Sequence, residues 1–229
     1  MKMKILFSAI LLLPPALPVL NAADSKPQDE VTAAATKLAD KASYSWTTKV
    51  TVPEGAQVPG GSVEGETEKA GFTHITMTFG GNTSQAVMQG SKAAVSGPDG
   101  GWQSISEIES AEGPVRFLAR VIRNFKAPSA QATELAAATK ELKLDGGVYS
   151  GELTEAGAKA QFRFGTVNNP KGWVKFWVKD GVLAKYEFKV QGKVEFNGNE
   201  SEIERTSTIE IKKVDATRVE VPEDARKKL

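Results

Sequence analysis

Apolar and polar positions follow two different periods along this chain, and the switches between them mark its elements. From Asp29 to Ala42 the side chains Val31, Ala34, Ala35, Leu38 and Ala42 recur at spacings of three and four. This predicts an amphipathic helix with Asp29 as its N-terminal cap. The period then becomes two. Tyr44, Trp46, Thr48, Val50 and Val52 alternate with Ser43, Ser45, Thr47, Lys49 and Thr51, the mark of a half-buried strand. A Gly/Pro loop over Pro53 to Gly61 ends it. Short strand-like runs follow over Ser62–Glu68, Phe72–Phe79, Thr83–Gln89 and Lys92–Ser96, and a last one starts at Trp102. The turns between them are rich in glycine, so these runs predict an antiparallel meander.

The middle of the chain returns to the helical period. Pro114 suits a first-turn position, and Val115, Leu118, Ile122 and Phe125 form a stripe widened by Phe117 and Val121. Ser129 is placed to cap a second, alanine-rich helix reaching to about Leu142. A short strand over Val148–Leu153 and a helical turn or two over Thr154–Ala160 come next. The final third has the strongest alternation. Val182, Ala184, Tyr186, Phe188, Val190, Val194 and Phe196 share one parity, while Lys185, Glu187, Lys189, Gln191, Lys193 and Glu195 take the other. A slip of one residue would bury those charges, so the register is tightly specified. Trp173–Lys179 before it and Ile203–Val214 after it complete three antiparallel strands, with Asp180-Gly181 and Asn197-Gly198 as hairpin turns. Val219–Pro222 predicts a last short strand. The elements together make an α+β chain with a curved antiparallel sheet.

Composition narrows the chemistry. The 229 residues carry Lys+Arg 29 against Asp+Glu 28, no cysteine and one histidine. Near neutrality argues against a nucleic-acid partner. The absence of cysteine removes thiol catalysis, disulfides and Cys-based zinc sites. Lys2 and Lys4, the apolar run Ile5–Leu13, the prolines at 14, 15 and 18 and the small residues Asn21-Ala22-Ala23 have the order of a secretory signal peptide. Residues 1–23 are therefore expected to be cleaved near Ala22/Ala23, leaving 24–229 as a single periplasmic domain. A membrane anchor is the other reading, but the prolines cut the apolar run well short of a span.

Candidate sites are few. His74 reads as a general base or as a solvent-side strand residue, and no pocket partner accompanies it in the sequence. Glu64, Glu66 and Glu68 share a strand face, where residues two apart stand in line and do not converge on one ion. Arg116, Arg120 and Arg123 line one side of the Pro114–Phe125 helix, either to meet an anionic group or as a solvated polar face. Trp173 and Trp177 share parity with Lys175 and Lys179, while Val174, Phe176 and Val178 occupy the other face. No catalytic group, metal ligand set or cofactor motif emerges, and the chain reads as non-enzymatic.

The order helix, long antiparallel strands, helical insertion, long antiparallel strands resembles the LolA/LppX-like superfamily of periplasmic lipoprotein carriers and mycobacterial lipid-binding lipoproteins. The segments that carry the resemblance are the opening helix running into Tyr44-Ser45-Trp46, the Trp102 strand after a glycine turn, Gly151-Glu152-Leu153-Thr154-Glu155-Ala156-Gly157-Ala158-Lys159, and Ile209-Glu210-Ile211 with Val219-Glu220-Val221-Pro222-Glu223-Asp224-Ala225. The resemblance implies a half barrel whose helices cover its concave face, with acyl chains held in the apolar gap or, in related sensors, a partner contacted there. No cysteine follows the apolar leader, a departure from the mycobacterial branch that fits the soluble carriers. No ligand-binding residue of the family carries over by motif.

The expected function is thus a periplasmic carrier or chaperone for an acylated or other apolar ligand. The alternative is an envelope interaction or sensor module of the same fold, with an envelope protein as partner and no lipid. The cavity candidates are Trp46, Val50, Tyr186, Phe188, Val190 and Phe196 on the sheet, facing Phe117, Leu118, Val121, Ile122 and Phe125 on the lid helix.

Overall fold

The computed structural model describes residues 26–56, 59–97, 99–112, 115–162, 165–196 and 198–229, without the side chains of Val115, Phe117 and Phe196. The expected signal peptide, Pro98, Pro114 and Asn197 lie outside the described residues. The chain opens with α1 (Pro27–Ala39), then β1 (Ser43–Thr51), β2 (Gly61–Glu68), β3 (Thr73–Phe79), β4 (Asn82–Gln89), β5 (Lys92–Ser96) and β6 (Trp102–Ser104). Next come α2 (Ile105–Ser110), α3 (Val115–Arg123), α4 (Pro128–Ala137), β7 (Lys143–Asp145), β8 (Val148–Glu152) and α5 (Glu155–Lys159). The long strands β9 (Thr166–Lys179), β10 (Val182–Phe196) and β11 (Asn199–Lys212) precede α6 (Glu223–Arg226).

All eleven strands form one antiparallel sheet in the order β6-β5-β4-β3-β2-β1-β11-β10-β9-β8-β7. The first meander and the last one are joined where β1 pairs with β11, Trp46 opposite Ile211 and Val50 opposite Ser207. The sheet does not close: the three-residue strands β6 and β7 are its two edges. Short edges leave few unpaired backbone groups to recruit another chain. The β9–β10 hairpin turns on Asp180 and Gly181, both at positive φ (52° and 72°), which is what a two-residue turn between right-twisted strands requires.

Alternation decides which face is covered. Val174 and Val194 are buried, while their neighbours Lys175 and Lys193 are exposed. The inner face meets α1, which crosses β10 and β9 with α4 packed beside it, and the two helices bury Val31, Ala34, Ala35 and Leu38 from one and Ala132, Leu135 and Ala136 from the other. At the other end α2 and α3 pack over β5. The outer face of β4 and β5 has its own cover. There Val87, Ala94 and Ala225 are buried with Phe72, Trp102, Val221 and Leu229 packed around them.

Several elements differ from the periodicity. α1 is capped by Lys26, with Pro27 at its start and Asp29 inside the first turn. α4 starts at Pro128 and stops at Ala137. Ser129 is therefore within the helix, buried, and its hydroxyl lies against Tyr44 instead of capping. The segment expected to extend that helix to Leu142 instead leaves it, and β7 follows. α2 was not visible in the apolar pattern, although its capping box is. The Ser104 hydroxyl accepts from the Glu107 N–H, and the Glu107 carboxylate accepts from the Ser104 N–H at 2.6 Å. Val219–Pro222 is not a strand. The C-terminal segment crosses the outer face, and side chains satisfy its backbone: Val219 N–H donates to Glu68 (2.9 Å) and Thr217 N–H to the Ser43 hydroxyl (3.1 Å).

Lys228 clips this segment to α2 through Glu107 at 2.9 Å. The Lys228 ammonium and then the Ser104 N–H hold the Glu107 carboxyl down to about 2, from an ordinary 4.5. A depressed carboxylate contributes stability that is present above its unfolded pKa and lost as pH falls through its folded one. The clip should therefore weaken between about pH 4.5 and about pH 2. Amide exchange should show 223–229 loosening across that window, and Lys228→Ala should remove the dependence.

Candidate functional site

The inner face is built of residue rows running across the strands. One reads Ile211, Trp46, Gly65, Ile75, Ala86, Val95 from β11 to β5. Gly65 is in it for a steric reason. A Cβ there would come within 2.1 Å of the Trp46 ring, so only glycine lets the indole lie flat across β2. The indole then stacks on Phe125, 6.1 Å between centroids, and leans on Tyr44 at 5.8 Å. A second row runs Tyr149, Phe176, Tyr186, Ile209, Thr48, Val63, Met77. A third holds Val174, Phe188, Ser207, Val50, Gly61 and Phe79. Cover thins along this third row: Phe188 is 5% exposed, Val50 is half-buried and Phe79 is 39% exposed.

The helices are held over this face in two different ways. The chain has three tyrosines, Tyr44 and Tyr186 buried in the core and Tyr149 packed half-buried against it, and all three direct the hydroxyl to α1 or α4. Tyr186 donates to Gln131 Oε1 at 2.7 Å, Tyr149 donates to Glu30 Oε2 at 2.5 Å, and Tyr44 lies 3.4 Å from the Ser129 hydroxyl. Burial pushes the Tyr186 and Tyr44 hydroxyls above the ordinary tyrosine value, and the Glu30 carboxylate does the same to Tyr149. They stay protonated at neutral pH, so Tyr186 and Tyr149 keep donating. Gln28 adds a bond from α1 to the Ala136 carbonyl of α4 at 2.8 Å. Tyr186→Phe should cost about 1 kcal/mol in a denaturant melt, because Gln131 loses its donor while the ring still fills its place.

α3 has no such clamp among the described residues. Ala119 and Ile122 are buried, and Leu118, Val121 and Phe125 pack against the core half-buried. Its polar ties are at the surface: Arg123 to Glu109 at 2.8 Å and to the Ser91 carbonyl at 3.1 Å. A cleft of about 340 Å³ runs beside the helix, lined by Thr73, Met88, Ala93, Ile122 and Phe125, with Lys92 and Arg123 at its rim.

The expected cavity residues therefore converge on one face. Trp46, Ile122, Tyr186, Phe188 and Val190 are buried in a common cluster, with Leu118, Val121 and Phe125 packed against it. Val50 lies in the third row beyond that cluster. The side chains of Phe117 and Phe196 lie outside the described residues. Among the described candidates, Ile122 and Phe125 border the cleft. Periodicity overlooked Arg205, which shares parity with Ile203, Ile209 and Ile211, pairs with Val190 across the sheet, and donates to the Gln161 carbonyl. A cation in the apolar register of β11 was the signal for it.

The remaining sequence candidates stay apart from this face. His74 is on the outer face, half-buried, with Nε2 3.0 Å from Gln85 Oε1. Glu64, Glu66 and Glu68 lie on that face too, and no group of three or more His, Asp or Glu among the described residues is placed to hold a metal ion. Trp173 is 38% exposed on the outer face, in a wide groove of about 850 Å³ with Lys140, Lys143, Lys175, Glu187 and Lys189.

No protein-family model matches this chain, and no curated protein matches it. Similar solved structures include LppX, LprF and a LolA superfamily protein. The lipoprotein LppX from Mycobacterium tuberculosis is 13% identical with a TM-score of 0.45, covering 86% of this chain and 98% of that one. LprF from Mycobacterium bovis is 10% identical with a TM-score of 0.44, covering 87% and 97%. A LolA superfamily protein from Nitrosomonas europaea is 8% identical with a TM-score of 0.34, covering 86% and 96%. The curved open sheet and its helical cover are read from the strand pairing above and do not depend on these likenesses.

Proposed function

We propose that the protein is a non-enzymatic carrier or chaperone, exported to the periplasm, that holds an acylated or other apolar ligand between the inner sheet face and α3. The observation that supports this reading most is the unequal fastening of the helices. α1 and α4 are pinned by part-buried tyrosine hydrogen bonds, whereas α3 packs through apolar side chains beside an open cleft and Phe125, just past its end, stacks on Trp46. Buried hydrogen bonds oppose opening with both a bond and a desolvation cost, while apolar contacts can be exchanged for those of an acyl chain at little net cost. Swinging α3 outward would join the cleft to the Trp46 row without disturbing the clamped half. His74 lies on the other side of the sheet from this face.

The test is direct. The exported protein is extracted with organic solvent and the extract analysed by mass spectrometry, expecting acyl chains in stoichiometric amount. A lipid-free protein that also takes up no added fatty-acyl ligand would defeat the reading. A second reading, an envelope interaction module, draws on the outer groove at Trp173, where a large aromatic side chain remains exposed among lysines.

A further inference from the structure

We propose that the outward ridge of α3 docks on anionic lipid headgroups, so that the carrier presents its loosest helix to the membrane that loads or receives its ligand. This deepens the carrier reading and rests on it. Residues 115–126 contain Arg116, Arg120, Arg123 and Lys126 and no carboxylate, in a chain whose overall formal charge is only +1. The concentration of cations is therefore local. Arg116, Arg120 and Arg123 follow one another at helical spacing, form a single stripe and are all exposed. Ala119 and Ile122 turn the other way, into the core.

Elsewhere ion pairs join Lys189 to Glu204, Lys193 to Glu200, Lys140 to Glu152 and Lys227 to Asp224, while other basic side chains such as Lys49, Lys175 and Lys179 have no ion pair with a described residue. Within 115–126, Arg123 is matched by Glu109 and Lys126 by Glu134. Arg116 and Arg120 make no ion pair with any described residue. Guanidinium groups suit this role because their fork of donors fits phosphate oxygens and sheds water readily.

The second observation selects a lipid surface over an acidic protein. The cleft beside α3 has a mixed lining, with Met88, Ala93, Ile122 and Phe125 as its apolar part beside Thr73 and Ser91, and it also includes Lys92 and Arg123. A surface offering phosphates and acyl chains side by side complements both halves of that arrangement. An acidic protein would complement only the cations.

Each basic residue near an anionic leaflet strengthens binding about five-fold, and the effect is screened by salt. The test uses the mature full-length protein and sedimentation with vesicles of phosphatidylcholine alone or mixed with phosphatidylglycerol. Binding is expected on the mixed vesicles, weak on the neutral ones and reduced by salt. The double variant Arg116→Glu/Arg120→Glu should bind at least about 25-fold more weakly. The control Lys49→Glu/Lys179→Glu makes the same charge change at exposed positions elsewhere, and should stay within about two-fold of the parent. Thermal melts of all variants should agree, since the four side chains are exposed.

Equal binding to both vesicle types, equal loss in both double variants, or no binding at all overturns the docking surface. Its failure is separable from that of the carrier reading. Copurified acyl chains without charge-dependent vesicle binding overturn docking alone. Charge-dependent binding by a protein that carries and takes up no lipid supports the surface and removes the carrier.

Discussion

Phe188→Ala is expected to lower stability by about 3–5 kcal/mol, the range for emptying a buried aromatic site. Phe188 is 5% exposed, belongs to the main apolar cluster and is flanked across the sheet by Val174 and Ser207. Backbone pairing holds both neighbours, so they cannot collapse into the space. Glu187, one residue earlier, points to the outer face and accepts a hydrogen bond from Thr208 at 3.1 Å. Glu187→Ala should stay within about 0.5 kcal/mol. Urea melts of the two variants, before and after delipidation, report more than the size of the loss. Core packing predicts the full cost in both states. A wall of a ligand cavity predicts a smaller cost once the lipid is gone, because fewer contacts vanish. Equal losses at the two positions would show that the period-two register of β10 is wrong.

Gly65→Ala should destabilise by about 3 kcal/mol, the upper part of the overpacking range. The added methyl would lie 2.1 Å from the Trp46 ring, and the ring has nowhere to retreat because Phe125 stacks above it and Tyr44 stands beside it. The displaced indole pushes on Phe125, so the lid should loosen as well. Tryptophan emission should shift to the red and any bound acyl ligand should dissociate faster. Trp46→Leu placed on the Gly65→Ala background should recover much of the loss, since the two changes share one contact and should not add. Additive losses would mean that the methyl group strains something other than the indole.

The contrast between these two sites shows how far the sequence reaches. Phe188 was legible because strand alternation is a local property: each side chain's face follows from its parity, whatever the partner strand. The same rule placed Tyr186, Val190 and Trp46 on the inner face and His74 on the outer. Gly65 was not legible. Its role depends on the tryptophan directly opposite on β1, and register between strands is a long-range matter. The cap assignments failed in a similar way. Asp29 and Ser129 are good capping residues by type, but prolines at 27 and 128 started both helices earlier. Ser129 was then free to meet Tyr44. The capping box of α2 was present as Ser104-x-x-Glu107 and was masked by the weak apolar pattern of a six-residue helix.

By itself the sequence determined the inventory: α+β composition, antiparallel strands in long hairpins, an apolar inner parity, a near-neutral charge and no cysteine chemistry. Those properties are written in spacing and residue type, so they survive without coordinates. Tertiary structure alone decided where the two meanders join, through the β1–β11 pairing. It also decided that the sheet stays open and that the C-terminal segment crosses the outer face instead of pairing at an edge. Above all it decided that the three tyrosines fasten α1 and α4 and leave α3 to apolar contacts and the surface ties of Arg123. Each of these outcomes brings together residues far apart in the chain, where the gain in buried contacts must outweigh the loop entropy of closing them. No local pattern records that balance.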